Sequence, residues 1–219
     1  MQVIPAIDLL DGKAVRLHKG AYDEVTVYNE SPLKQAEEFA HAGFEHIHVV
    51  DLNGARSGSF INLKYVEEII QELGISVQTG GGVRKLSDVH MLADAGLSGI
   101  ICSSMAIKNE EDWLKALEQY PEKMILGMDL KDGKIAYGGW LETASESVFS
   151  FLHRMIEKGL REVLCTDISR DGTLSGPNFE LYEELMNEHP EVRWIASGGV
   201  AELSDLQRLH RSGIQAVVV

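Results

Sequence analysis

The amino-acid sequence predicts an α/β fold of the (β/α)8 barrel class, on two observations. Eight short apolar runs alternate with seven segments of helical periodicity, and several motifs of the first half of the chain return in the second half. We expect a single domain over residues 1–219, made of half-barrels at about 1–120 and 121–219. The chain stops after the eighth strand, so we expect the C-terminal eighth helix to be missing from it.

The predicted strands are short and apolar, with little polar alternation, which is typical of parallel strands buried on both faces. They lie at 2–7, 46–50, 75–79, 99–102, 124–128, 162–165, 193–196 and 214–219. The predicted helices carry charges on one face and apolar side chains on the other. They lie at 33–42, 63–73, 86–95, 111–119, 145–158, 179–188 and 203–211.

Polar residues mark several helix starts, and glycines mark helix ends. Ser31 and Pro32 place a cap and a proline in the first turn of the first helix. Further caps or first-turn acceptors are expected at Asn62, Asp88, Asn178 and Asp205. Glycine follows the helices at Gly43, Gly74, Gly96, Gly159 and Gly213.

An internal repeat separates a closed barrel from an open parallel sheet. The segment 8–13 matches 129–134 at five of six positions, and each follows a predicted strand. Gly81-Gly82-Val83 returns as Gly198-Gly199-Val200, at an offset of 117 residues. Duplication of a four-unit half favours closure into a ring, with strands one and five opposed and strands three and seven opposed.

Charge and cysteine content argue against several classes of protein. Asp and Glu outnumber Lys and Arg by 34 to 20, and the basic residues are scattered, so we expect no nucleic-acid partner and no membrane partner. No apolar run reaches the length of a membrane span, and no leader peptide is visible. Cys102 and Cys165 are expected to be buried, reduced thiols. We therefore expect a cytoplasmic protein, and a monomer.

Asp8 and Asp129 are the candidate acid/base pair. In (β/α)8 barrels the active site lies at the C-terminal ends of the strands, where both residues are expected. Two separated carboxylates in different surroundings can hold different pKa values, as an acid and a base require. The alternative is that each aspartate only supports the Asp-Gly turn that follows it.

The glycine runs after strands three and seven are candidate phosphate sites. Gly80-Gly81-Gly82 and Gly198-Gly199 each precede a predicted helix, so backbone N–H groups could converge on an anion at the helix N-terminus. Their pairing with strand-end carboxylates favours a ligand with two phosphates. The alternative is that each glycine pair only forms a turn.

His46 and His48 share one side of the second predicted strand, with Asp51 nearby. Such a pair can ligate a metal, but no further histidine or carboxylate completes a coordination sphere in the sequence. We therefore expect no metal and no cofactor, and we assign His48 to substrate contact or to packing.

Several motifs together resemble one family of enzymes, the phosphoribosylformimino-aminoimidazole carboxamide ribotide isomerases of histidine biosynthesis. The resemblance runs over residues 1–219. Its motifs are Ile4-Pro5-Ala6-Ile7-Asp8-Leu9, Val15-Arg16-Leu17, His48-Val49-Val50-Asp51-Leu52, Gly80-Gly81-Gly82-Val83-Arg84, Gly138-Gly139-Trp140 and Thr166-Asp167-Ile168-Ser169-Arg170-Asp171-Gly172.

The resemblance implies an Amadori rearrangement of an aminoaldose to an aminoketose, without metal or organic cofactor. By resemblance, Asp8 removes the C2 proton, Asp129 protonates the ribose ring oxygen, and Thr166 and Trp140 position the substrate. Trp140 is expected to stack on a planar imidazole, although it could simply fill a loop. The implied substrate-binding residues are Arg16, His48, Gly81, Gly82, Arg84, Ser104, Trp140, Asp171, Ser175, Gly176, Gly198 and Gly199.

The sequence departs from the family pattern in two places. Ser103-Ser104 follows the fourth strand where the family usually has Gly-Thr, and the eighth helix is expected to be missing. Three alternatives stay open beside the isomerase, and the departures favour the last of them. They are the sister cyclase, an isomerase that also accepts phosphoribosyl anthranilate, and a non-catalytic barrel that binds phosphorylated metabolites.

Overall fold

A computed structural model describes residues 1–18 and 21–219. Strands and helices alternate along the described chain. The strands are β1 Gln2–Ile4, β2 Ala6–Leu10, β3 Lys13–His18, β4 Ala21–Asn29, β5 His46–Asp51, β6 Ser76–Gly80, β7 Gly99–Cys102, β8 Met124–Lys131, β9 Lys134–Tyr137, β10 Glu142–Thr143, β11 Glu162–Asp167, β12 Arg193–Ser197 and β13 Ala216–Val218. The helices are α1 Pro32–His41, α2 Leu52–Ser57, α3 Leu63–Leu73, α4 Leu86–Asp94, α5 Ser104–Lys108, α6 Glu110–Gln119, α7 Val148–Glu157, α8 Phe179–Glu188 and α9 Leu203–Ser212.

The order of elements confirms the predicted α/β class, with βα units of the (β/α)8 type. Each predicted apolar run forms a strand, the first of them divided between β1 and β2, and each predicted amphipathic segment forms a helix. Two hairpins were not predicted: β3 with β4, and the shorter β9 with β10. Their strands are interrupted by charged residues, which hides the apolar pattern. The sequence signals nearest to them are the Asp-Gly pairs at 11–12 and 132–133, which form the tight turns that join β2 to β3 and β8 to β9.

Residues 4–124 form one compact unit. Its strand order is β7-β6-β5-β2-β3-β4. The pairs β6–β7, β5–β6 and β2–β5 are parallel, whereas β3 and β4 continue from β2 as an antiparallel hairpin. These strands are parallel because a helical connection between successive strands returns the chain to the end of the sheet at which the previous strand began.

Residues 1–3 and 125–219 form the second compact unit. Its strand order is β1-β13-β12-β11-β8, and β9 and β10 extend β8 as an antiparallel hairpin. The pairs β8–β11, β11–β12 and β12–β13 are parallel. In each unit, therefore, a hairpin follows the strand that carries the candidate aspartate, β2 with Asp8 or β8 with Asp129, and precedes the next parallel strands in the chain.

The parallel strands are buried because most of their side chains are apolar on both faces. All four residues of β7 are buried, and so are the three residues of β13. The helices contribute one apolar face each, as Val66 and Ile69 of α3 illustrate. Among the described residues no helix is long and apolar enough to cross a bilayer.

The expected helix caps form, with one exception. The Ser31 side chain accepts a hydrogen bond from the Lys34 amide, and the Asn178 side chain accepts one from the Leu181 amide at 3.2 Å. The prediction for Asn62 was wrong, because it precedes α3 without a capping hydrogen bond. The side-chain Nδ2 of Asn62 donates instead to the Asp51 carboxylate at 2.6 Å.

The backbones of neighbouring βα loops approach each other at glycines. A Cβ on Gly81, which has a φ of 98°, would overlap the carbonyl oxygen of Asp51. A Cβ on Gly199 would lie 2.5 Å from the carbonyl oxygen of Gly176. The backbone amide of Gly176 in turn donates a hydrogen bond to the carbonyl of Gly199 at 2.9 Å. These glycines are thus needed for packing as well as for any role in binding.

We expect Gly81→Ala to destabilise the protein more than Gly43→Ala. Both residues have a positive φ, so both substitutions cost about 1–2 kcal/mol of backbone strain. Only Gly81 has backbone atoms where the new methyl would lie, which adds about 1–3 kcal/mol. Urea unfolding of the two variants measures the difference. Equal losses of unfolding free energy would contradict the close approach.

Candidate active site

Asp129 lies near the C-terminal end of β8, with two hydrogen-bond donors from its own unit. The indole Nε1 of Trp140 donates to its Oδ2 at 2.8 Å. The hydroxyl of Thr166, the residue paired with Asp129 in the neighbouring strand β11, also bonds to the carboxylate. Thr166 is buried, and Asp129 is half-buried. The predicted residues Asp129, Thr166 and Trp140 are therefore brought together.

The pKa of Asp129 is raised above its usual value. Removal from water is the main cause, because burial disfavours the charged carboxylate, and the nearby charge of Asp171 acts in the same direction. The hydrogen bonds from Trp140 and Thr166 lower the pKa, but they do not outweigh burial. A carboxyl group that keeps its proton more readily is suited to act as a general acid.

The loop that carries Trp140 is strained. Trp140 has a φ of 67°, a left-handed conformation that costs a non-glycine residue about 1–2 kcal/mol. It follows Gly138 and Gly139, which also have positive φ values, at the tip of the hairpin formed by β9 and β10. The hydrogen bond to Asp129 helps to offset this strain. Strain of this kind concentrates at functional sites.

Asp8 lies on β2 in the other unit and is half-buried. It pairs with Val50 of β5 on one side and with Val15 of β3 on the other. Its charge raises the pKa of Tyr22, although burial of the phenol is the larger cause. Asp8 therefore lies at the base of the hairpin β3–β4, between that hairpin and the parallel strands.

Tyr22 is a residue that the sequence did not identify. Its hydroxyl donates to the carbonyl of Leu52 at 2.9 Å, and the guanidinium of Arg56 lies 5.6 Å from the centre of its ring. The ring packs against the cluster of Val15, Leu17 and Leu52. Tyr22 thus holds the hairpin β3–β4 against helix α2. The sequence carries no signal for this contact because it depends on the hairpin β3–β4, which was not predicted.

His48 is buried on β5, and its Nδ1 lies 3.2 Å from the amide nitrogen of Gln78. Burial lowers the pKa of His48 to about 4, with a smaller contribution from His46. The imidazole is therefore neutral at physiological pH. Within residues 1–18 and 21–219, no group of three or more His, Cys, Asp or Glu side chains is arranged to hold a metal ion.

Asp51 and Asp167 organise the loops that follow their strands. The buried carboxylate of Asp51 accepts from the amides of Gly54, Ile61 and Asn62 and from the Asn62 side chain, at 2.5 to 3.0 Å. Asp167 accepts from the amide and hydroxyl of Ser169 and from the side chain of Asn178, at 2.6 to 2.9 Å. Both aspartates therefore have a structural role, and the sequence carries a signal for it, because Asp167 and Asn178 repeat Asp51 and Asn62 at an offset of 116 residues.

The glycine loops differ from the expected phosphate cradle in one respect. The amides of Arg84 and Lys85, just before α4, donate to Asp88 at 3.0 and 3.1 Å. The amides just before α9 donate in the same way to Asp205, at 2.9 and 3.2 Å. Protein carboxylates therefore occupy both helix N-termini, and the donors left to consider for a phosphate are those of the glycine loops themselves.

The remaining predicted residues lie on different elements and differ in exposure: Arg16 is on β3, Ser104 begins α5, and Arg84 and Ser175 are on loops. Arg16 and Arg84 are exposed, and the guanidinium of Arg84 packs over Gly58 and donates to the carbonyl of Ala55 at 3.5 Å. Ser175 is exposed, and its hydroxyl lies 2.7 Å from that of Thr173. Ser104 is half-buried at the start of α5. Arg16 pairs with Thr26, between two residues that pack into the hydrophobic cluster.

The whole chain is similar to proteins of histidine biosynthesis. Residues 2–219 match the family described as "Histidine biosynthesis protein". A protein of Flavobacterium johnsoniae is 40% identical over 220 positions, which cover 100% of this chain and 92% of that relative. Proteins of Cytophaga hutchinsonii and Ruminiclostridium cellulolyticum are each 42% identical with the same coverage. All three relatives are named 1-(5-phosphoribosyl)-5-((5-phosphoribosylamino)methylideneamino) imidazole-4-carboxamide isomerase.

We expect Trp140→Phe to raise the pKa of Asp129 further, because phenylalanine keeps an aromatic ring but removes the donor to the carboxylate. Thr166→Val should act in the same direction, and Asp171→Asn should lower the pKa by removing a like charge. Titration of the Asp129 carboxyl carbon by NMR measures all three. A lower pKa in Trp140→Phe would be incompatible with this hydrogen bond.

Proposed function

Since the chain belongs to the histidine biosynthesis protein family, we propose that it is the aldose–ketose isomerase for which its relatives are named. The proposed substrate is the bisphosphorylated aminoaldose of that name, and the product is the corresponding aminoketose. Similarity over the full chain supports the choice of this isomerase over the sister cyclase and over a non-catalytic barrel. The observation that carries the chemistry is the set of contacts around Asp129.

Asp129 is the proposed general acid. It gives its proton to the ring oxygen of the ribose as the C1–O bond breaks, while the nitrogen lone pair forms the C1–N double bond, which opens the ring and leaves a protonated imine. Its raised pKa supports this role, because the acid must hold a proton before the bond breaks. Thr166 orients the carboxyl group, and Trp140 is proposed to stack on the imidazole of the substrate.

Asp8 is the proposed general base. It takes the proton from C2, the electron pair of that C–H bond forms a C1–C2 double bond, and the electrons of the C1–N double bond return to nitrogen. The resulting enol-amine becomes the ketone when C1 gains a proton and the hydroxyl on C2 loses one. The rearrangement is an internal redox change that balances with proton transfers alone, so the proposal includes no cofactor and no metal. His48, Asp171, Arg84 and Arg16 are proposed to bind the substrate around these two carboxylates.

The two phosphates of the substrate are assigned to the repeated glycine loops. Gly81, Gly82 and Ser104 are proposed for one phosphate. The other is assigned to Ser175, Gly176, Gly198 and Gly199. Positive φ values at the four glycines of the repeat, residues 81, 82, 198 and 199, support this assignment, because such turns direct amides toward a common point.

We also propose that residues 1–219 form one domain, because the two halves of the chain repeat the same βα pattern and the same motifs. A monomer in the cytoplasm, without nucleic-acid or membrane partners, is proposed from the acidic composition and the cysteines. Cys102 and Cys165 are buried and free, and burial raises the pKa of both thiols. Unpaired thiols of this kind are usual in reducing compartments.

Activity measurements on aspartate variants test the proposal. We expect the wild-type protein to convert the aminoaldose, and Asp8→Asn and Asp129→Asn each to lose about 10²–10⁴-fold in kcat, as is typical for a general acid or base. Asp132→Asn is the matched control, because Asp132 is exposed on the same hairpin three residues further along. If either variant retains the wild-type rate, the role of that aspartate is wrong. Phosphoribosyl anthranilate, assayed in parallel, tests the dual-substrate alternative.

Asp129→Asn should also stabilise the fold at neutral pH. The folded pKa of Asp129 is higher than the unfolded one, so the folded state binds the proton more tightly, and stability falls as pH rises from the unfolded toward the folded pKa. Asparagine carries no charge to bury. We expect a higher free energy of unfolding than wild type at pH 7, and a smaller difference below about pH 4. A loss of stability at pH 7 would show that the buried charge is compensated.

A further inference from the structure

One buried polar pair breaks the internal repeat. His48 of β5 and Gln78 of β6 are partners in register across two parallel strands. Their repeat positions, 116 and 117 residues further along, are Leu164 of β11 and Ile195 of β12, which are also partners in register. The same two strand positions therefore hold a polar pair in one unit and an apolar pair in the other.

Packing alone does not require the polar pair. His48 and Gln78 are 8% and 1% exposed, and Leu164 and Ile195 are 6% and 0% exposed, so the two pairs are buried to the same degree. Burial of an imidazole and an amide costs solvation free energy that a leucine and an isoleucine do not lose. A polar pair at such a position indicates a role other than stability.

The hydrogen bond between the two side chains determines where the imidazole proton lies. The atom of Gln78 that faces the ring is the amide nitrogen, which can only donate, at 3.2 Å from Nδ1 of His48. Nδ1 must therefore accept. A neutral imidazole has one N–H group, so this orientation of the amide requires the proton to lie on Nε2, and the lone pair of Nδ1 is engaged by Gln78.

Strand register places this imidazole next to the proposed base. His48 pairs with Ala6 of β2, and Val50 pairs with Asp8. Because side chains alternate along a strand, His48 lies on the same face as Val50, and so on the same face as Asp8, one step toward the N-terminal end of the strands. The sequence motif placed His48 near the site but did not identify Gln78.

We propose that Gln78 is a positioning residue, which holds His48 as the Nε2–H tautomer so that the imidazole presents a permanent hydrogen-bond donor to an oxygen of the substrate beside Asp8. This inference rests on the proposed function, because the substrate oxygen belongs to the proposed aminoaldose. It assigns the proton transfer at C2 to Asp8 alone. A neutral donor also orients the substrate without adding a positive charge that would weaken the carboxylate base.

The tautomer can be observed without turnover. In the ¹⁵N-labelled wild-type protein, long-range ¹H–¹⁵N correlation of the His48 ring is expected to show the Nε2–H pattern. In Gln78→Glu the partner becomes a carboxylate, which only accepts, so the spectrum should change to Nδ1–H or to the imidazolium. An Nδ1–H pattern in the wild-type protein would mean that the amide oxygen faces the ring, and it would overturn the inference.

A double-variant cycle tests whether Gln78 acts through His48. We expect Gln78→Ile to lower kcat/KM about tenfold in the wild-type background and to have no further effect in a His48→Leu background. The double variant carries the apolar pair found at Leu164 and Ile195, so its melting temperature should not fall below that of the wild type. An equal loss of kcat/KM in both backgrounds would show that Gln78 acts independently, against the proposal.

The two readouts also separate this inference from the proposed function. If the wild-type protein shows the Nε2–H pattern but no isomerase activity, the proposed function fails, and with it the role toward the substrate, while the tautomer assignment stands. If the protein is an active isomerase with an Nδ1–H pattern, the proposed function stands and the role of Gln78 is refuted.

Discussion

The buried carboxylates of Asp51 and Asp167 are the constraint on which the candidate site depends. Each is the last residue of a parallel strand and accepts hydrogen bonds from the segment that comes after that strand. A buried charge of this kind is tolerated only when donors surround it, so the loop must keep the one conformation that supplies them. In each unit that conformation brings the loop backbone against a glycine loop, at Gly81 in one unit and at Gly199 in the other.

The two units share this framework but differ at their hairpins. In the first unit the Asp11-Gly12 turn is held in place, because Asp11 and Asn53 exchange two hydrogen bonds of 2.8 Å and Tyr65 packs against Gly12. The corresponding Asp132-Gly133 turn is exposed, with no atom within 4 Å of where a Cβ of Gly133 would lie. A repeat in sequence therefore does not imply equal constraint, and the hairpin that carries Trp140 depends more on its hydrogen bond to Asp129.

Asp129 shows the conflict between stability and chemistry that is common at active sites. Burial disfavours its charge, and the structure compensates only in part, with two donors against one nearby acid. Trp140 adds a strained backbone to the same place. Features that reduce stability and persist in one small region are consistent with selection for function. The polar pair of His48 and Gln78 has the same character, because the other unit does without it.

The sequence by itself determined the alternation of strands and helices, because burial of parallel strands and amphipathic helices leaves a periodic pattern. It also determined the repeat, and through its motifs it pointed to Asp8, Asp129, Thr166 and Trp140 as a set. It did not reveal the two hairpins, since charged residues lie among their apolar positions and the local signals are only the Asp-Gly turns that lead into β3 and β9.

Only the tertiary structure decided the contacts between residues distant in sequence. It showed that Asn62 serves Asp51 instead of capping α3, and that Asp88 and Asp205 occupy the helix N-termini expected to face phosphates. It also showed the bond from Gln78 to His48, which lies 30 residues away. Residue type states what a side chain can donate or accept, but strand register and loop path choose the partner.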